Sequence, residues 1–141
     1  MQVIRTLIVD DDASFRRRVK EFLTSEPDIE VIGEAADGQE AFLKTRELQP
    51  DLVLMDVRMP GVNGVDVTRQ LKDEMPELSV IILTIFDMQE YREAAMASGA
   101  SGYVVKKSLI EELVPAIRGA FRAYERECRQ DTKDCAGRCD G

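Results

Sequence analysis

Five short apolar runs alternate along this chain with segments in which apolar residues return every three to four positions. The runs cover residues 5–9, 30–35, 51–55, 78–84 and 101–105. Runs of this length bounded by turn residues read as strands buried on both faces of a parallel sheet. The segments between them read as amphipathic helices. Phe15, Val19, Phe22 and Leu23 space the first, which ends by Pro27. Asp37, with Glu40 three residues on, predicts a capping box for a second that Pro50 stops. Val65, Thr68, Leu71 and Met75 space a third, closed by Pro76. Asp87 is expected to cap a fourth, carrying Tyr91, Ala94 and Ala95 and ending at Gly99. Ser108 and Glu111 predict a second capping box, opening a helix with Leu113, Val114, Ile117, Phe121 and Tyr124 along it. Pro115 lies inside that helix, where a missing N–H predicts a kink or a loosened turn.

This alternation predicts an α/β fold of the flavodoxin-like (βα)5 type. Right-handed crossovers restrict it to a five-stranded parallel sheet of order 2-1-3-4-5 with helices on both faces. One domain is expected over residues 1–124. Residues 125–141 lose the period and read as a polar, Cys-containing tail or a truncated linker.

In that strand order the carboxyl ends of strands 1, 3, 4 and 5 meet at one sheet edge, where open α/β folds bind ligands. They deliver Asp10 and Asp11, Asp56, Thr84 and Lys106. Clustered carboxylates raise one another's pKa and need a cation among them. Their oxygen donors suit Mg2+. With a lysine and a hydroxyl added, the set describes a site that accepts a phosphoryl group, whose transfer needs positioning and charge neutralisation above all. Asp56 is the candidate nucleophile.

Charge and composition narrow the partners. A net charge of −8 leaves no broad positive surface for nucleic acid or an anionic membrane. Arg16, Arg17 and Arg18 form the one basic run and read as a solvated helix face. No apolar stretch approaches the ~20 residues of a membrane span, so a cytoplasmic location is expected. Cys128, Cys135 and Cys139 lack the spacing of common zinc sites and read as incidental. The six methionines read as core filler. Asp12 reads as a charge favoured at a helix start.

Four segments together resemble the receiver domain of bacterial two-component response regulators. They are Leu7-Ile8-Val9-Asp10-Asp11, Leu54-Met55-Asp56-Val57-Arg58-Met59-Pro60-Gly61, Ile82-Leu83-Thr84, and Gly99-Ala100-Ser101-Gly102-Tyr103-Val104-Val105-Lys106. The resemblance implies that Asp56 accepts phosphate from a sensor histidine kinase. It implies that Asp10, Asp11, Asp56 and the backbone carbonyl of Arg58 hold Mg2+. Lys106 would pair with the acceptor, Thr84 would swing toward the phosphoryl group, and Tyr103 would turn inward behind it. The chain has no histidine, so a phosphohistidine donor must be another molecule.

The Thr84-Ile85-Phe86-Asp87 and Lys106-Lys107 details are most similar to receivers that precede LuxR-type (NarL-type) DNA-binding output domains. No such output domain lies in this sequence. Ile85, where many receivers carry a small residue, predicts narrowed access to Asp56. Lys107, where many carry proline, predicts a trans peptide after Lys106. The expected output is a conformational shift that controls dimerisation, a partner or an output domain, in transcription regulation. No catalysis is expected beyond the domain's own phosphorylation and dephosphorylation. Two other readings stay open: a phosphorylation-independent interaction module, and an aspartate-nucleophile phosphatase. Arg58 stands where the latter would want a carboxylic acid.

Overall fold

Strand β3 (Leu52–Met55) lies at the centre of a five-stranded parallel sheet, between β1 (Ile4–Val9) and β6 (Ser79–Thr84). β2 (Ile29–Ala35) and β7 (Gly102–Val105) form the edges, giving the order β2-β1-β3-β6-β7. This is the predicted flavodoxin-like order, with the five main strands counted in sequence. The computed structural model describes residues 3–59 and 61–130, with side chains up to residue 121.

Helices α1 (Ala13–Thr24) and α5 (Leu109–Gln130) cover one face. Helices α2 (Gly38–Leu48), α3 (Gly64–Glu74) and α4 (Gln89–Ala97) cover the other. Because strand side chains alternate between faces, each strand feeds two cores. Leu7, Val9, Val53, Met55, Val80 and Ile82 pack with Ala41, Val67, Leu71 and Ala95. Ile8, Leu52, Leu54, Ile81 and Leu83 pack with Val19, Leu23, Leu113 and Ile117. Every residue of β3 and β6 is buried, which explains why both read as unbroken apolar runs. The loop after β3 also contains an antiparallel pair of two-residue strands, β4 (Arg58–Met59) and β5 (Val62–Asn63), too short to leave a periodic signal.

Caps are where local reading and structure part. Asp12 is more than a favourable charge. Its carboxylate accepts from the Ser14 N–H at 3.0 Å and the Phe15 N–H at 3.2 Å, so it is the N-cap of α1. Asp12→Ala should therefore lower stability by about 1 kcal/mol in urea unfolding. Asp37 caps α2 through the Glu40 N–H as expected, while Glu40 reaches back to the Ala36 N–H. Asp87 does not cap α4. Met88 holds the extended N-cap backbone, with no side-chain capping bond, and Asp87 pairs instead with Arg92 at 3.5 Å and Lys107 at 3.8 Å. Nor does Ser108 open α5. Lys106–Ser108 forms a 3-10 turn running straight into α5, and a cap needs non-helical backbone that Ser108 lacks.

Helix α5 continues without a break through Pro115, and its backbone stays helical to Gln130. The cysteines' side chains lie outside the described residues. Among the methionines, Met55 and Met59 are core, but Met88 and Met96 stand about half exposed on and beside α4. No helix of the described residues is long and apolar enough to cross a membrane.

Candidate functional site

The last paired residues of β1 and β3 are Val9 and Met55, and they face each other. One position on, the chain delivers Asp10 and Asp56. Their backbones remain tied to the sheet: Asp10 N–H donates to Ala35 O at 3.0 Å and Asp56 N–H to Val9 O at 2.9 Å. Two carboxylates thus emerge side by side from the rigid part of the fold. The first residue of α3 braces the second of them. Gly64 N–H donates to Val57 O at 2.7 Å, and its Cα lies so close that an added Cβ would stand 1.9 Å from the Asp56 carbonyl oxygen.

Asp10, Asp11 and Asp56 each place a carboxylate oxygen within 4.8 Å of the others. Asp10 and Asp56 are buried, and Asp11 is exposed at the rim. Lys106 enters from the end of β7. Its Nζ lies 2.8 Å from Asp10 Oδ2 and 3.6 Å from Asp56 Oδ1. The nearer partner is therefore Asp10, where the sequence suggested the acceptor itself.

The Asp56 carboxyl is pushed up to about 6, first by burial and then by Asp10 and Asp11. Lys106 and the Val57 N–H pull in the other direction without cancelling that rise. Three clustered carboxylates facing one ammonium leave uncompensated negative charge. The all-oxygen donor set is what a hard divalent cation takes, so the residues fit Mg2+.

Thr84 is fully buried at the end of β6, and its Oγ1 accepts from the Phe86 N–H at 3.3 Å. Tyr103 is turned inward, 7% exposed, with its hydroxyl donating to the Phe86 carbonyl at 2.7 Å. Burial pushes the Tyr103 pKa up. Phe86 stacks on Tyr91 at 4.8 Å between ring centres, and the Arg58 guanidinium lies 4.9 Å above the Phe86 ring. The side chain of Arg58 is thus spent on the loop after β6. Ile85 stands 65% exposed, with most of its surface in solvent. No cis peptide occurs among the described residues, in keeping with a trans Lys106–Lys107 bond.

Two contacts at the site, made by Phe15 and Arg16, were not legible beforehand. Phe15 lies under Lys106, whose Nζ is 4.1 Å from the ring centre. Arg16, read as part of a solvated run, is only 16% exposed in its side chain. It pairs with Glu34 at 2.9 Å and donates to the Asp10 carbonyl. The one available signal was Glu34 itself, a charge inside an apolar strand.

Residues 6–118 match the family described as the response regulator receiver domain. The chain belongs to that family. The receiver is 38% identical over 115 residues to the transcriptional regulatory protein DegU of Brevibacillus brevis, covering 82% of this chain and 49% of the relative. It is 39% identical over 121 residues to the response regulator protein VraR of Staphylococcus aureus, covering 84% and 57%. Among solved structures, a LuxR-family two-component response regulator from Aurantimonas superposes with a TM-score of 0.83 at 34% identity, covering 86% of this chain and 87% of that one. This receiver therefore spans about half the length of the curated relatives it matches.

Proposed function

We propose that this receiver is a phosphoacceptor switch in which Asp56 takes a phosphoryl group from a phosphohistidine of a sensor histidine kinase. The observation that carries the reading is the setting of Asp56. It is a buried carboxylate with a raised pKa, beside two more carboxylates and 3.6 Å from the one ammonium at the site. At pH 7 it is still mostly ionised, and burial strips the solvation that would blunt it as a nucleophile. One carboxylate oxygen attacks phosphorus, an O–P bond forms, the P–N bond to the donor imidazole breaks, and the imidazole leaves with its electron pair. Asp10, Asp11, Asp56 and the Arg58 carbonyl would hold Mg2+, which when bound neutralises the charge gathering on the phosphoryl oxygens.

Lys106 stands ready to exchange a carboxylate partner for a phosphoryl oxygen. Thr84 is to give up the Phe86 N–H and donate its hydroxyl to the phosphoryl group. That move loosens the segment whose Phe86 carbonyl Tyr103 holds, so phosphorylation shifts the population toward a second arrangement of the loop and α4. The domain acts on itself and turns over no separate substrate. The relative named as a transcriptional regulatory protein supports a role in transcription regulation, exerted in the cytoplasm through dimerisation, a partner or a DNA-binding output domain.

Incubation with acetyl phosphate and Mg2+, followed by intact mass measurement, tests this. Wild type should acquire one labile phosphoryl group, and Asp56→Asn none. Continuous phosphate release over many turnovers would point to a hydrolase. No adduct on folded wild type would point to a phosphorylation-independent module.

A further inference from the structure

Arg16 sits in the first turn of α1 with little of its side chain in water. A guanidinium so placed must have its donors filled. Nε meets Glu34 Oε1 at 2.9 Å, and Nη1 donates to the backbone carbonyl of Asp10. Every other polar atom of Asp10 is committed as well. Its N–H donates to Ala35 O at 3.0 Å, Oδ1 accepts from the Asp12 N–H at 2.9 Å, and Oδ2 accepts from Lys106 at 2.8 Å.

The Asp10 carbonyl is the point where β1 leaves the ladder, since the strand pairing with β2 ends at Val9 and Ala35. It shares a rigid peptide plane with the Asp11 N–H. Whatever fixes that carbonyl also fixes the direction in which Asp11 departs from the sheet. Glu34 lies opposite Ile8 in the register of β1 and β2, so one guanidinium ties α1 to the ends of two strands.

We infer that Arg16, held by Glu34, is a positioning residue that presents Asp11 together with Asp10 to the divalent cation of the phosphoacceptor site. This rests on the phosphoacceptor reading above. A lysine cannot replace the fork, because a single ammonium offers a point charge where two separate acceptors must be met at fixed angles. Groups that orient metal ligands commonly change affinity about 10- to 100-fold when removed.

The test is Mg2+ affinity of the metal-free full chain by isothermal titration calorimetry, read beside the thermal midpoint. Arg16→Ala and Arg16→Lys should each weaken Mg2+ binding about 10-fold or more. Glu34→Gln, which keeps an acceptor oxygen, should weaken it less, and Arg17→Ala on the exposed side should leave it unchanged. Arg16→Lys keeps the charge and most of the stem, so it reads the site even where Arg16→Ala does not fold. A lowered midpoint with unchanged Mg2+ affinity would make Arg16 a purely structural residue and overturn the inference alone. No Mg2+ binding by wild type would overturn the phosphoacceptor reading, and this inference with it.

Discussion

Alanine at Gly64 is expected to destabilise the domain by about 3 kcal/mol and to abolish phosphorylation, although the substitution adds a single methyl group. The methyl carbon would stand 1.9 Å from the Asp56 carbonyl oxygen, 2.8 Å from its carbonyl carbon and 3.0 Å from Val57 Cα. All three are backbone atoms, so no rotamer change relieves the clash. Backing α3 away would stretch the 2.7 Å bond from Gly64 N–H to Val57 O. Either response moves the residue the site depends on. Urea unfolding reads the first effect and adduct formation the second. A Gly64→Ala protein of wild-type stability that still takes one phosphoryl group would refute this account of the β3–α3 junction.

Asparagine at Asp56 should act in the opposite sense on stability. The carboxyl titrates near 6 in the fold against about 4 in the unfolded chain. Because the folded value is the higher one, its contribution is fully present below about pH 4 and is lost as pH rises through about 6. Metal-free wild type should therefore lose stability across that window, and Asp56→Asn should lack that part of the slope. At pH 7 the variant should be more stable by about 2 kcal/mol: a pKa difference of one is worth about 1.4 kcal/mol, the value near 6 already includes the opposing pull of Lys106, and solvent screening trims the remainder. Saturating Mg2+ should stabilise wild type and narrow the difference. Denaturant unfolding of both proteins at pH 4, 6 and 7, with and without Mg2+, measures each part. A metal-free Asp56→Asn protein less stable than wild type at pH 7 would refute the view that burial, and then the neighbouring carboxylates, disfavour the ionised Asp56.

The strand ends were legible because a parallel sheet covered on both faces needs continuous apolar strands. The first carboxylate after such a strand then marks the functional edge. Asp10 and Asp56 stood out in that way, Thr84 and Lys106 as the ends of neighbouring strands, and all four come to one edge because the crossover rule leaves few strand orders. What stayed hidden is what faces the site from a helix. Arg16, Arg17 and Arg18 look alike in sequence, yet successive helix residues point about 100° apart, so one lies mostly covered at the Asp10 carbonyl while its neighbours are exposed. The misplaced caps have a related cause. Asp87 had cationic partners within reach, Arg92 and Lys107, and the chain put the cap geometry one residue later, at Met88. Phe86 gave no sign of its contacts with Tyr91 and Arg58, which depend on loops meeting across the sheet edge.

The phosphoryl group is expected on Asp56, and chemical trapping reads its position. Borohydride reduces an aspartyl phosphate to homoserine, so phosphorylated protein reduced, digested and sequenced by mass spectrometry reports the acceptor by position. Conversion to homoserine at residue 56, dependent on phosphodonor and Mg2+, is the predicted result. Conversion at Asp10 or Asp11, or a phosphoprotein with no homoserine at residue 56, would contradict it.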